Sequence, residues 1–139
     1  MMPDAHLAGI IEAAIVEKLE RLEARRFAKT KTSRKALAET NTTPSSRYLP
    51  AAVRRVVYER DGGRCRYEDE HGRRCSARRR LEYHHRQPFG LRGNHSPGNV
   101  VLACRVHNTF WAERDYGKAK MARYRRPRDS ASGAAAGSG

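Results

Sequence analysis

Three stretches decide the reading of this chain: Glu82-Tyr83-His84-His85, Pro97-Gly98-Asn99 and Cys104-Arg105-Val106-His107-Asn108. Leu81-Glu82-Tyr83-His84 alternates apolar and polar residues, the pattern of a half-buried strand, and Val100-Val101-Leu102 reads as a second, more buried strand. The connection between them holds Gln87-Pro88-Phe89-Gly90, Gly93-Asn94 and Ser96-Pro97-Gly98, a run of turn residues. Val106, Phe110, Trp111 and Ala112 then predict a helix running toward Met121 and Tyr124, with a break near Gly117, and Phe110 and Trp111 are expected in the core. Adjacent residues on a strand point to opposite faces, so His84 and His85 can serve two different partners. If the strands pair and the helix packs across them, His84, His85 and Asn108 converge at one end.

Around these stretches lie three cysteines, Cys65, Cys75 and Cys104. Three thiols cannot pair off, and a disulfide framework is the weaker reading for a chain that looks intracellular. Cys104 and His107 are two ligands separated by two residues, and Cys65 and Cys75 enclose a loop containing Gly72. Three thiolates and one imidazole make up a closed structural zinc site. The alternatives are three unrelated buried thiols, or a site in which His71, inside the first loop, takes a ligand's place.

Upstream, Pro50 suits the first turn of a helix, Val53, Val56 and Val57 form its apolar face, and Asp61-Gly62-Gly63 ends it. Residues 47–127 therefore read as one α+β domain in the order helix, metal loop, strand, long loop, strand, helix. Such a short unit buries a thin core, which a metal staple would reinforce. Residues 1–28 read as an amphipathic helix, with Leu7, Ile10, Ile11, Ala14, Ile15, Leu19 and Leu22 at helical spacing. That stripe either packs on the C-terminal domain or serves a partner surface, through self-association or a further upstream domain. Residues 29–46 are polar and read as a flexible linker, and 128–139 as a disordered low-complexity tail.

The 139 residues carry 29 Lys+Arg against 15 Asp+Glu, a formal net charge of +14, and a mean hydropathy of -0.87. This balance favours an anionic partner, most simply DNA. No apolar run approaches the ~18 residues of a membrane span. The first residues show no secretory signal, and a cytoplasmic location is expected.

The His-His, Asn and His-Asn pattern, with cysteines and glycines interleaved and Pro88 and Gly93 in the loop, resembles the HNH endonucleases. These have the small ββα-metal, or His-Me finger, fold, and the resemblance covers about residues 47–125. It implies metal-dependent hydrolysis of DNA phosphodiesters to 5′-phosphate and 3′-hydroxyl ends. His85 takes the general-base place. Asn99 takes the place of the catalytic-loop asparagine that bonds backbone and fixes the loop presenting His85. His84 and Asn108 take the places that hold the catalytic divalent cation, Mg2+ or Mn2+ or else Ni2+ or Zn2+. Glu82, two residues from His84, is expected to orient His84 or an arginine. Many relatives also hold a structural zinc with two Cys-x-x-Cys pairs; here Cys65, Cys75, Cys104 and His107 stand in that role, the first pair stretched and His107 replacing a cysteine.

The residue types suit the chemistry. A neutral imidazole can take a proton from water near neutral pH, and a divalent cation stabilises charge on phosphate and leaving oxygen. Arg78, Arg79, Arg80, Arg86 and Arg92 are candidate DNA contacts, since a guanidinium suits phosphate. His6 and His95 are expected to be exposed and without a role. The competing reading is a zinc-stabilised DNA-binding module without activity, which would have no need of His85.

Overall fold

A computed structural model describes residues 3–32, 35–43 and 45–125. The expected tail at 128–139 lies outside the described residues. Helix α1 spans Pro3–Arg26, α2 Ala51–Asp61, strand β1 Leu81–His85, β2 Val100–Cys104, α3 Arg105–Tyr116 and α4 Lys118–Arg125. Short 3-10 turns lie at Leu37–Glu39, Phe89–Leu91 and Pro97–Asn99. The fold is small α+β with a two-stranded antiparallel sheet, in which His84 pairs with Val101 and His85 with Val100.

The strands' alternation sorts side chains between two helices. Leu81, Val100, Leu102 and Cys104 form a buried cluster with Val53 and Val57 of α2, and Tyr83 packs against it. Tyr83 Oη donates to the Arg54 carbonyl of α2, which fixes that helix on this face of the sheet. The other face carries Glu82 and His84 and meets α3 through Asn108. A two-stranded hairpin is marginal alone; here both faces are covered.

Asp61 ties α2 to the sheet. Its carboxylate is fully buried, accepts from Leu102 N at 2.9 Å and is forked by the Arg60 guanidinium at 2.8 and 3.0 Å. The free edge of β2 is thus satisfied by a side chain on one side and by Arg66 N, which donates to Leu102 O at 2.8 Å, on the other. Gly93 has a separate reason to be glycine. A Cβ there would stand 1.8 Å from the Gln87 carbonyl, so the loop between the strands closes only without a side chain. At Gly117 the backbone is left-handed (φ +85°), and the terminal helix divides there into α3 and α4.

Helix α1 exposes Leu7, Ile10, Ile11, Ile15, Val16, Leu19 and Leu22, so its apolar stripe does not pack on the domain. Among the described residues, its C-terminal end is what is anchored. Phe27 is buried against Tyr58 and Tyr83, and Arg54 donates to the carbonyls of Arg25 and Arg26. Among the described residues, no helix is long and apolar enough to cross a membrane.

Candidate functional site

Cys65, Cys75, Cys104 and His107 come together, with ligand atoms all within 4.8 Å of one another. Cys65 follows the α2 turn, Cys75 closes the loop, Cys104 ends β2 and His107 lies in the first turn of α3. His107 Nδ1 is 3.3 Å from Cys104 Sγ and 3.5 Å from Cys65 Sγ. A tetrahedral zinc, with bonds of ~2.3 Å to sulfur and ~2.05 Å to nitrogen, would separate sulfur and nitrogen by ~3.5 Å. The four residues can therefore hold a metal ion such as zinc. His71 is exposed and takes no part. Tyr67 stacks on the His107 ring at 3.8 Å and 7°, and burial holds that imidazole below its ordinary pKa, so it is neutral and ready to ligate at pH 7. Burial pushes the Cys65 thiol up to about 11, opposed by backbone N–H groups of Cys104 and Tyr67 and reinforced by the neighbouring thiols. Without a metal Cys65 therefore keeps its proton, and three thiolates would share this space only around a cation.

The second cluster lies between β1 and α3. His84 Nδ1 and Asn108 Oδ1 are 2.9 Å apart. Asn108 Nδ2 donates to Glu82 Oε2, which turns its oxygen toward His84. Glu82, expected beside His84 or an arginine, thus orients the asparagine instead. On the far side of the ring, His84 Nε2 and Asp115 Oδ2 are 3.9 Å apart, both buried and both without a hydrogen-bond partner among the described residues. The His84 ring is 8% exposed and lies against Trp111 at 4.9 Å. Burial lowers its pKa, against the opposing effects of the Asn108 bond and the Asp115 charge. Arg66, Glu68, Arg86 and Arg114 line the adjoining cleft of about 380 Å³, so its mouth is cationic.

The 2.9 Å between His84 Nδ1 and Asn108 Oδ1 is hydrogen-bond distance, and it would also suit two ligands of the divalent cation expected there. Two ligands at right angles on one ion, with bonds of ~2.1 Å, are ~3.0 Å apart, close to the observed separation. A cation on Nδ1 places the ring proton on Nε2, facing Asp115. That nitrogen and the Asp115 carboxylate oxygen are 3.9 Å apart, an electrostatic contact longer than a hydrogen bond.

His85 points to the opposite face. Its Nε2 is 2.9 Å from His95 Nδ1, and its own pKa is lowered by burial and by the neighbouring imidazoles of His95 and His84. Asn99 holds the intervening loop: its Oδ1 accepts from Gln87 N at 2.7 Å, and its Nδ2 donates to the carbonyls of Gln87 and Asn94. Arg86 N donates to Asn99 O at 2.8 Å, continuing the strand pairing beyond His85. No family model matches the chain, and neither does any curated protein or solved structure.

The arginines expected at phosphate are all exposed: Arg78, Arg79, Arg80, Arg86 and Arg92. Arg78 donates to the Gly62 carbonyl. Arg79 and Arg80 line a groove with Arg105 at the start of α3.

Two further sequence expectations are corrected. His95 is 2% exposed and bonded at both ring nitrogens, rather than lying free at the surface. Phe110, expected in the core, is 50% exposed and stands edge-on to Tyr67, because α3 turns its Asn108, Trp111 and Asp115 face to the sheet. Asp115 had no signal in the sequence beyond its helical spacing, seven residues from Asn108.

Proposed function

We propose that the chain is a metal-dependent endonuclease of the HNH type, folded as a ββα-metal domain around a structural zinc and hydrolysing DNA phosphodiester bonds. One observation carries the reading. His84 and His85 stand side by side at the end of β1; the first is matched with Asn108 at ligand spacing, and the second has one ring nitrogen bonded and the other open.

The substrate phosphodiester crosses the end of β1, where both strand faces can be reached, and Arg86 and the arginines of the cleft bind its oxygens. His85 is neutral at pH 7 and accepts a proton at Nδ1 from the water that attacks phosphorus. Asn99 keeps the loop behind His85 from shifting. His84 and Asn108 hold the divalent cation, with Glu82 and Asp115 fixing their orientation. When bound, that cation stabilises the charge that develops on the phosphate and the leaving O3′. The products are a 5′-phosphate and a 3′-hydroxyl. Zinc at Cys65, Cys75, Cys104 and His107 welds the loop, the end of β2 and α3 into one frame, so the two sides of the site keep their spacing.

Nicking of supercoiled plasmid by the full chain tests the reading, with Mg2+ or Mn2+ and with EDTA. Nicking that depends on the cation and falls ~10²–10⁴-fold in His85→Ala, while DNA binding persists, is the expected result. Equal nicking by His85→Ala would remove His85 as the base. Tight DNA binding with no nicking under any cation would leave the zinc-stabilised binding module.

A further inference from the structure

His95 is expected from its sequence context to have no role, yet it is the best-enclosed imidazole of the described residues. Its ring lies parallel to Phe89 with centroids 5.8 Å apart, and its backbone N–H donates to the Thr42 carbonyl at 2.8 Å. Its Nε2 is 2.8 Å from the Ser46 carbonyl oxygen and its Nδ1 is 2.9 Å from His85 Nε2. These contacts fix the proton positions. A carbonyl oxygen only accepts, so His95 Nε2 carries a hydrogen and donates to Ser46 O. With its hydrogen placed on Nε2, the ring leaves Nδ1 as the acceptor toward His85. His85 must therefore carry its proton on Nε2 and donate it to His95, leaving His85 Nδ1 as a lone pair with no hydrogen-bond partner among the described residues.

We propose that His95 is the positioning residue of the site, holding His85 in the single tautomer and orientation whose open nitrogen, Nδ1, receives the proton from water. This rests on the nuclease reading above. His95 touches neither water nor phosphate; it acts through His85. Protonation of His85 at Nδ1 makes the ring an imidazolium, and its Nε2–H bond to His95 becomes charge-assisted and stronger. The stabilisation grows as the proton arrives, so it favours the step rather than the resting site. Ser46 O holds the far nitrogen of the His95 ring and Thr42 O holds its backbone N–H, which ties the segment before α2 to this pair of histidines.

Long-range 1H–15N spectra of the full chain at neutral pH report the tautomers directly, without activity. The expected wild-type spectrum shows both rings carrying hydrogen at Nε2, with a slowly exchanging Nε2 proton on His85. That proton should vanish into rapid exchange in His95→Phe and persist in His95→Asn, whose side-chain oxygen can accept in place of Nδ1. In plasmid nicking, His95→Phe should lose about 10–100-fold in kcat, the scale for losing a partner that orients a histidine, with KM for DNA unchanged. His95→Asn should recover most of the rate. A wild-type His85 protonated at Nδ1, or a His95→Phe variant that cuts at the wild-type rate, overturns the proposal. If the wild type cuts nothing, the nuclease reading falls, while the spectra still decide whether His95 sets the His85 tautomer. The wild-type spectrum needs no substitution, so a variant that misfolds leaves that decision standing.

Discussion

Zinc held by Cys65, Cys75, Cys104 and His107, as proposed, should be required for the domain to fold, so its removal should unfold the domain rather than loosen it. The ligands come from four places: the turn after α2, the loop at Cys75, the last residue of β2 and the first turn of α3. Cys65 and Cys104 also belong to the buried cluster with Val53, Val57 and Leu102. Loss of the ion therefore frees the loop between residues 65 and 75 and removes two members of the core together. For the roughly 75 residues from α2 to α4, a stability of ~0.05–0.15 kcal/mol per residue comes to ~4–11 kcal/mol. Structural zinc held by such ligands contributes ~10–16 kcal/mol near neutral pH, as much as the whole of that or more. The metal-free chain should then lie on the unfolded side. Elemental analysis after purification without added metal should find about one zinc per chain, and chelation should abolish the cooperative thermal transition seen by circular dichroism. Cys65→Ser and Cys104→Ser should do the same, and added zinc should restore the chelated wild type but not these variants. A chelated protein with no zinc, three freely titrating thiols and a melting temperature within a few degrees of the starting one would refute the argument. The cysteines would then be buried thiols only.

His84→Ala and Asn108→Ala should cut poorly at low Mn2+ and recover in part as Mn2+ is raised, because a lost ligand lowers occupancy; equal rescue of His85→Ala would break the division of roles between the two histidines. Replacing Arg78, Arg79 and Arg80 together by Gln should weaken binding of all DNA sequences alike and flatten the log–log salt dependence, expected near ~−4 to −5 if about five phosphates are contacted; an unchanged slope in filter binding would return these residues to a solvated face. Acid should destabilise the fold: His84, His85 and His107 all have pKa values lowered by burial, so the unfolded chain binds more protons as pH falls. Their contribution is complete above the ordinary 6.5 and is lost as pH drops through the lowered folded values. Urea midpoints at pH 7.5, 6.5 and 5.5 should therefore decrease in that order, and a midpoint that rises on acidification would contradict it.

The sequence by itself determined the order of elements around the site and the chemistry available to it. The alternation from Leu81 to His85 and the apolar run from Val100 are local patterns, and the strands form there because period and burial are written in neighbouring residues. The Cys3His set was legible for a similar reason: thiolates favour zinc, and the chain has only three cysteines, one of them separated from a histidine by two residues in Cys104-Arg105-Val106-His107. Tertiary structure decided which polar groups meet. His95 joins His85 across ten residues, Asp115 faces His84 across thirty-one, and Asp61 reaches Leu102 N across forty-one. None of these pairs has a periodicity to reveal it, because each arises where two loops or two faces close on one another. The α1 stripe marks the same limit from the other side. Its helical spacing was readable, yet only the fold shows that these apolar residues stay outside, because the domain's own core is already filled by α2 and the two strands.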